Sequence, residues 1–248
     1  MAGEHIVKSY DEELKHLTDV IARMGGLAEK QLADSVQSIV KRDSALAART
    51  IEADHKVDDL EQEVDAFAIR VLALRQPVAS DLRAILAALK ISSDLERIAD
   101  YATNIAKRAI ALSQTPPVKS AHVIPRMSQL TRGMIQRVLD AFLEQDAEAA
   151  VEVWSADEEV DEMYTSLFRE LLTYMMEDPR NITACTHLLF IAKNIERIGD
   201  HATNIAETVY FLVHGAPLVA ERPKGDSSPL AVVEPMKPKR RAPRNRSD

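Results

Sequence analysis

Apolar side chains recur along most of the chain at spacings of three and four residues, which is the pattern of amphipathic α-helices. In the first part of the chain this pattern predicts three helices, over residues 5–40, 44–75 and 80–113. Asp43 or Ser44 suits the start of the second helix, because the short polar side chain of either can accept a backbone N–H. Pro77 falls between the second and third helices, where it separates them.

The same plan recurs in the second part, with helices predicted over about 125–145, 146–178 and 181–215. The sequence therefore predicts an all-α fold of two tandem, antiparallel three-helix bundles with six main helices and an internal duplication. The predicted domains are a first three-helix repeat at 1–114, a second at 122–215, and a disordered, basic, proline-rich tail at 216–248.

The third helix of each part carries nearly the same run of residues. Glu-Arg-Ile-Ala-Asp-Tyr-Ala-Thr-Asn-Ile-Ala stands at 96–106, and Glu-Arg-Ile-Gly-Asp-His-Ala-Thr-Asn-Ile-Ala stands at 196–206. A duplicated hydrophobic core requires only the apolar residues of the two runs to match, whereas here the polar residues match as well. The repeat therefore predicts both an architecture and a candidate site.

The carboxylates of the repeated run lie outside its apolar seam. When the Ile and Leu positions face the core, Glu96 and Asp100 point away from it, one helical turn apart on a single face. The preceding helix of each part adds another pair of carboxylates at the same four-residue spacing. The candidate ligands of an outward-facing acidic groove are Asp54, Asp58, Glu96 and Asp100 in the first part, and Asp157, Asp161, Glu196 and Asp200 in the second.

Sets made only of carboxylates suit hard cations such as Mg²⁺, Mn²⁺ or Fe³⁺ and do not suit a tetrahedral structural zinc ion. The alternative is a solvated acidic face on which Arg97 or Lys107 neutralises the carboxylates locally. The residues alone leave both interpretations open.

The same motifs carry a resemblance to a known family. The two Glu-Arg-Ile-Gly/Ala-Asp runs, each preceded by an Asp-x-x-x-Asp helix, resemble the PhoU family, the accessory regulators of the phosphate-specific transport system. Further similar segments lie at 24–26, 75–77, 80–83 and 174–178, so the resemblance spans about residues 5–215 and leaves the basic tail outside it. Ala99 stands where the family often has a glycine.

The resemblance implies a fold of two three-helix bundles and metal binding, sometimes as a multinuclear iron cluster, at the eight carboxylates named above. It implies negative regulation of phosphate uptake and of phosphate-regulon signalling by a non-enzymatic adaptor. Its expected partners are the ATPase subunit of the phosphate ABC transporter, a membrane sensor histidine kinase and a second copy of the chain. No catalytic residue is expected.

The charge of the chain is unevenly distributed. The formal net charge is −8, but residues 216–248 carry +4 and hold six of the eleven prolines. A segment of this composition is expected to be disordered. It also suits weak attachment to an anionic membrane surface, whereas the acidic remainder argues against nucleic acid as a partner.

The compartment is predicted from absences in the sequence. No apolar segment suits a secretory signal, and the longest apolar run, 84–89, is far shorter than the roughly 20 residues needed to span a bilayer. The single cysteine, Cys185, rules out an internal disulfide and is predicted to be a buried thiol. A cytoplasmic protein is expected, with membrane association only through partners or the basic tail.

Two other classes of protein compete with the adaptor. A ferritin-like di-iron carboxylate oxidase needs two Glu-x-x-His motifs that project into the core. The sequence contains only one such motif, at 52–55. The seam positions that would carry inward ligands hold Ile, Leu and Ala instead. The other alternative is a structural helical protein whose acidic faces only confer solubility.

Overall fold

The computed structural model describes residues 2–75 and 77–219, with side chains from residue 12 onward. Residues 220–248, which include most of the predicted tail, lie outside the described residues, so the disorder predicted there stays a prediction. The described residues form eight α-helices: α1 Ala2–Lys41, α2 Ser44–Glu52, α3 His55–Arg75, α4 Ala79–Ser113, α5 Val123–Glu144, α6 Ala147–Ser155, α7 Asp157–Glu177 and α8 Ile182–His214. Two short 3₁₀ helices, Lys119–His122 and Pro179–Asn181, lead into α5 and α8.

The second predicted helix of each part is interrupted. The backbone turns at Ala53 (φ −75°, ψ −10°) between α2 and α3, and at Ala156 (φ −78°, ψ −10°) between α6 and α7. With each interrupted pair counted as one helix, the described chain has the six main helices predicted, and the all-α fold class is confirmed. Of the two candidates for the cap of α2, the structure selects Asp43, because its Oδ1 accepts the N–H of Leu46 at 2.9 Å.

The two halves, α1–α4 and α5–α8, pack together through their long helices. α1 packs on α4, α5 packs on α8, and the halves meet where α4 lies along α8 and α1 lies along α5. α4 and α8 run antiparallel, since the Arg108 guanidinium lies 4.1 Å from the Phe190 ring centroid while the Lys90 ammonium lies 5.9 Å from that of Phe211. The shorter α3 contacts α1 and α4, and α7 contacts α5 and α8.

A single aliphatic cluster of buried side chains runs through both halves. The predicted seams of α4 and α8 are buried at every position except Leu212, which is half-buried. The buried face of α4 is wider than a seam, because Ala99 and Ala106 are buried as well. This width follows from the position of α4, which packs on its own half and on α8.

Candidate functional site

The predicted acidic residues of the first half lie where α3 meets α4. Asp54 immediately precedes α3, at the end of a helix where the backbone N–H groups favour a negative charge, and Asp58 follows one turn later. Glu96 and Asp100 lie one turn apart on α4, which packs against α3. All four side chains are half-buried, and Gln31 of α1 donates to Oδ1 of Asp54 at 3.4 Å.

Crowding of carboxylates governs the electrostatics of this region. Burial, together with the nearby charges of Asp100, Glu61 and Asp58, raises the pKa of Glu96 to about 7 against the opposing effect of Arg97. The pKa of Asp58 is raised as well, mainly by burial and then by Asp54 and Asp100. We call Asp54, Asp58, Glu61, Glu96 and Asp100 the first-half acidic cluster.

Glu61 belongs to this cluster although the sequence analysis did not name it. Its pKa is raised by burial and by neighbouring carboxylates that include Asp65, Asp58 and Asp100. The available signal was its position three residues after Asp58, which places both side chains on one face of α3.

Arg97 is the counter-ion expected from the solvated-face interpretation. Its Nε lies 3.5 Å from Oε2 of Glu96, and its Nη1 lies 3.6 Å from Oδ2 of Asp100. These distances are long for ion pairs, and the Arg97 side chain is 57% exposed. Arg97 therefore neutralises the first-half acidic cluster only in part and from its solvent side.

The predicted acidic residues of the second half converge in the same way but are much less exposed. Asp157 begins α7, and Asp161 follows one turn later, while Glu196 and Asp200 lie on α8. Asp157, Asp161 and Glu196 are only 1%, 2% and 4% exposed, and Asp200 is half-buried. The prediction of an outward-facing groove is therefore wrong for this half. We call these four residues the second-half acidic cluster.

Gly199 explains part of this burial. A Cβ placed at Gly199 would lie 2.6 Å from Oδ1 of Asp157, so the absence of a side chain on α8 lets the start of α7 approach closely. Ala99 occupies the equivalent position in the first half, where the Asp54 side chain remains half-buried. The glycine-for-alanine difference within the repeat thus accompanies a difference in how deeply the acidic residues are buried.

A lysine lies within the second-half acidic cluster. Nζ of Lys193 is 2.7 Å from Oε1 of Glu196, and it lies 4.9 Å from the ring centroid of Tyr164. Burial raises the pKa of Glu196 to about 7, with Asp200 and Asp161 adding to the rise and Lys193 opposing it. Oε2 of Glu196 is buried without a hydrogen-bond partner in the part of the chain that the structure describes.

The two clusters differ in how well they fit a metal ion. Among the described side chains, residues 12–75 and 77–219, no three of His, Cys, Asp or Glu are close enough together to hold a metal ion as they stand. The first-half acidic cluster fits by the chemistry of its donors, since five neighbouring carboxylates carry more negative charge than Arg97 offsets. The second-half acidic cluster fits less well, because Lys193 already supplies a positive charge to Glu196.

Cys185, predicted to be a buried thiol, is buried in the structure. Burial raises the pKa of the Cys185 thiol. It lowers the pKa of the imidazole of His187, two residues further along α8. Both shifts favour the neutral forms, so neither a thiolate nor an imidazolium is stabilised in this part of α8.

Comparisons with known proteins agree with the duplicated architecture. A PhoU domain matches residues 21–109 and again residues 124–209. The phosphate-specific transport system accessory protein PhoU homolog of Caulobacter vibrioides (strain NA1000 / CB15N) is 54% identical over 224 residues, which cover 90% of this chain and 97% of that protein. The corresponding homolog of Rhizobium meliloti (strain 1021) is 52% identical over 91% of this chain and 96% of its own length.

Solved structures show the same fold. The crystal structure of PhoU from Pseudomonas aeruginosa superimposes with a TM-score of 0.80 at 41% identity, covering 84% of this chain and all of that one. The phosphate transport system regulatory protein PhoU from Streptococcus pneumoniae gives a TM-score of 0.79 at 27% identity, over 85% of this chain. With both of its halves matched to one domain and its fold shared with these structures, the chain belongs to the PhoU family.

Proposed function

We propose that this protein is a negative regulator of phosphate uptake and of phosphate-regulon signalling, acting as an adaptor between a phosphate ABC transporter and a sensor histidine kinase. The coarser part of this statement follows from family membership: the chain is a non-enzymatic accessory or regulatory protein of phosphate transport. The finer part, comprising the ATPase subunit and the kinase as partners, a homodimer and a cytoplasmic location, is the proposal.

One observation carries the proposal. The alignment with the Caulobacter phosphate-specific transport system accessory protein leaves almost nothing of that protein uncovered, so the similarity extends over the whole relative and is not confined to a shared domain. None of the described helices is long and apolar enough to cross a membrane. An adaptor of this kind reaches the membrane through its partners.

An exposed apolar strip supports action through protein contacts. Five large apolar side chains between the end of α3 and the beginning of α4 are 38–71% exposed: Ile69, Leu74, Val78, Leu82 and Leu86. We call these five residues the exposed strip because they follow one another along the chain, and large exposed apolar side chains favour a protein contact. We assign the strip to the contact with the transporter's ATPase subunit.

Metal binding is a further part of the proposal. The carboxylates of Asp54, Asp58, Glu96 and Asp100 are proposed to hold a hard cation such as Mg²⁺, Mn²⁺ or Fe³⁺. The cation would neutralise the mutual repulsion that raises the pKa values of Asp58 and Glu96. Its role would be structural or regulatory, since the family is not enzymatic.

Deletion of the gene in its own host tests the regulatory role. Alkaline phosphatase activity in high phosphate is expected to rise on deletion and to return to the repressed level when the chain is supplied from a plasmid. Normal repression in the deletion strain would refute the functional proposal.

Co-purification with the ATPase subunit tests the adaptor role. The Leu74→Ser/Val78→Ser variant is expected to retain less ATPase subunit than the wild type, because both side chains belong to the exposed strip. Val40→Ser is the matched control, since Val40 is 61% exposed on α1 and lies outside the strip. Equal retention by all three proteins would remove the strip from the interface.

The ferritin-like di-iron oxidase is not favoured. Its ligands would have to stand on the inner faces of the helices, and the inner seam of α4 and α8 holds Ile, Leu, Val and Ala. The relatives reported above are accessory and regulatory proteins of phosphate transport.

A further inference from the structure

The two halves differ at two positions that border the acidic clusters. When the repeated runs are superimposed, Ser93 of α4 corresponds to Lys193 of α8. When the Asp-x-x-x-Asp segments are superimposed, Glu61 of α3 corresponds to Tyr164 of α7. In the second half a positive side chain therefore replaces a small polar one, and an aromatic ring replaces a carboxylate.

These two differences act together in the structure. Nζ of Lys193 donates to Oε1 of Glu196 at 2.7 Å and lies 4.9 Å from the ring centroid of Tyr164. An ammonium held between a carboxylate and the face of an aromatic ring is favoured on both sides. The Glu196 side chain is only 6% exposed and that of Lys193 is 29% exposed, so this pair is largely removed from water.

The first half has no equivalent of this arrangement. Ser93 is exposed and too short to reach the carboxylate of Glu96 in the way that Lys193 reaches Glu196. Glu61 adds a carboxylate at the position of the Tyr164 ring, and it contributes to the repulsion at Glu96. The first-half acidic cluster thus concentrates negative charge, whereas the second-half acidic cluster contains its own cation.

We propose that the Lys193 ammonium takes the place of a metal ion in the second half, so that metal binds only at the first-half acidic cluster. This inference rests on the proposed metal binding by the first half and limits it to that half. The buried Oε2 of Glu196, which has no hydrogen-bond partner among the described residues, marks the second half as a site that would accept a metal ion once the ammonium is removed.

Manganese binding to the purified full-length chain tests the proposal. Equilibrium dialysis against Mn²⁺, followed by elemental analysis, is applied to the wild type and to Lys193→Met, which removes the ammonium and keeps an unbranched side chain of similar length against Tyr164. We expect Lys193→Met to bind about one additional equivalent of Mn²⁺ per chain, and the gain to disappear in Lys193→Met/Glu196→Gln. Lys119→Met, which removes an exposed lysine from the segment between the halves, controls for the change in net charge and is expected to bind as the wild type does.

The single substitution Glu196→Gln tests whether the second half of the wild type holds a metal ion while Lys193 is present. It is expected to leave Mn²⁺ binding unchanged, and a loss of bound Mn²⁺ would overturn the proposal by showing that the second half holds metal in the presence of Lys193. A folded Lys193→Met protein, verified by circular dichroism, that gains no Mn²⁺ would also overturn it. If Lys193→Met does not fold, Ser93→Lys decides: weakening of first-half Mn²⁺ binding by about tenfold supports the proposal, and unchanged binding refutes it.

Failure of the proposed function gives a different result. Metal binding by the first half is wrong if the wild type binds no Mn²⁺, or if it binds Mn²⁺ and Asp100→Asn leaves that binding unchanged. The gain in Lys193→Met would still support the assignment of Lys193 as the cation of the second half, and the absence of a gain would refute it.

Discussion

Nδ1 of His201 lies 2.7 Å from Oδ1 of Asp94, which joins α8 to α4 across the junction of the two halves. Nδ2 of Asn204 donates to the same carboxylate oxygen at 3.4 Å, and the His201 ring lies 5.6 Å from that of Tyr101. The positions equivalent to Asp94 and His201 in the repeat hold Asn194 and Tyr101. The contact between a carboxylate and an imidazole is therefore made by Asp94 and His201 and is not repeated by the equivalent residues, Asn194 and Tyr101.

Removal of this contact is expected to destabilise the protein. The side chains of Asp94 and His201 are 17% and 20% exposed, so water replaces the lost hydrogen bond only in part. We expect Asp94→Asn to lower the free energy of unfolding in urea by about 1–2 kcal/mol. A double-mutant cycle with His201→Tyr should give a coupling energy of about 1 kcal/mol.

The exposed ion pair between Lys30 and Asp34 on α1 provides the comparison for this cycle. Its Nζ–Oδ2 distance is 2.6 Å, but the Lys30 side chain is 69% exposed, so its coupling energy should be only about 0.3–0.5 kcal/mol. Equal coupling energies for the two pairs would contradict a special role for the contact between the halves.

Gly199→Ala is expected to disturb the second-half acidic cluster. The new methyl group would lie 2.6 Å from Oδ1 of Asp157, so α7 has to move or the carboxylate has to turn away. A loss of about 1–3 kcal/mol in the free energy of unfolding should follow. Gly133→Ala on α5 is the control: beyond the backbone of its own helix and its chain neighbours, no described atom lies within 4 Å of its Cβ position, so it should stabilise the protein by up to about 1 kcal/mol. An unchanged free energy of unfolding in Gly199→Ala would show that α7 is not held close to α8.

The sequence predicted most of the fold because the fold depends on regular features. The three-and-four spacing of apolar residues located the long helices, and Asp43 or Ser44 marked the start of α2 through ordinary capping chemistry. The break after α2 was missed because Ala53 is a good helix former and no proline or glycine stands near it. The Ala-Asp pair that recurs at 156–157 was the one available signal.

Spacing along a helix shows which carboxylates can share a face, but it does not show the environment in which they lie. For Glu196 and Asp200 it indicated a shared face of α8. Spacing carries no information on how closely a neighbouring helix approaches, which here depends on Gly199 and leaves Asp157 buried. Nor does it identify a lysine as the counter-ion of a particular carboxylate, which required the packing of Lys193 on Tyr164.

The stability of the protein without bound metal should depend on pH through Glu196. Its pKa rises from the usual 4.5 to about 7, so the native state holds a proton that the unfolded chain releases between these values. This contribution to stability is complete below about pH 4.5 and is lost as the pH rises through about 7. Glu196→Gln should remove about 2–3 kcal/mol of pH dependence across this window, measured by urea unfolding in the presence of a chelator.

Glu148→Gln controls for the loss of a negative charge, because Glu148 is exposed in the first turn of α6. Its stability curve should run parallel to that of the wild type across the same pH range. A Glu196→Gln curve that also runs parallel to the wild type would show that Glu196 has the same affinity for protons in the folded and unfolded chain.

The first-half acidic cluster should reduce the stability of the protein when no metal is bound. The pKa of Asp58 is raised by burial, then by the charges of Asp54 and Asp100, so its ionised form is disfavoured in the native state. Asp58→Asn is therefore expected to raise the free energy of unfolding at neutral pH by about 0.5–1 kcal/mol, measured in urea with a chelator. This gain in the free energy of unfolding should be smaller in 1 M NaCl, where the Debye length is roughly 3 Å and the repulsion between half-buried charges is screened. Asp81 lies in the first turn of α4 as Asp58 lies in the first turn of α3, but it is not part of the first-half acidic cluster. Asp81→Asn therefore loses the favourable interaction with a helix N-terminus without relieving that repulsion, so its effect should have the opposite sign. Destabilisation by Asp58→Asn would mean that the Asp58 carboxylate contributes more through its local contacts than it loses by repulsion.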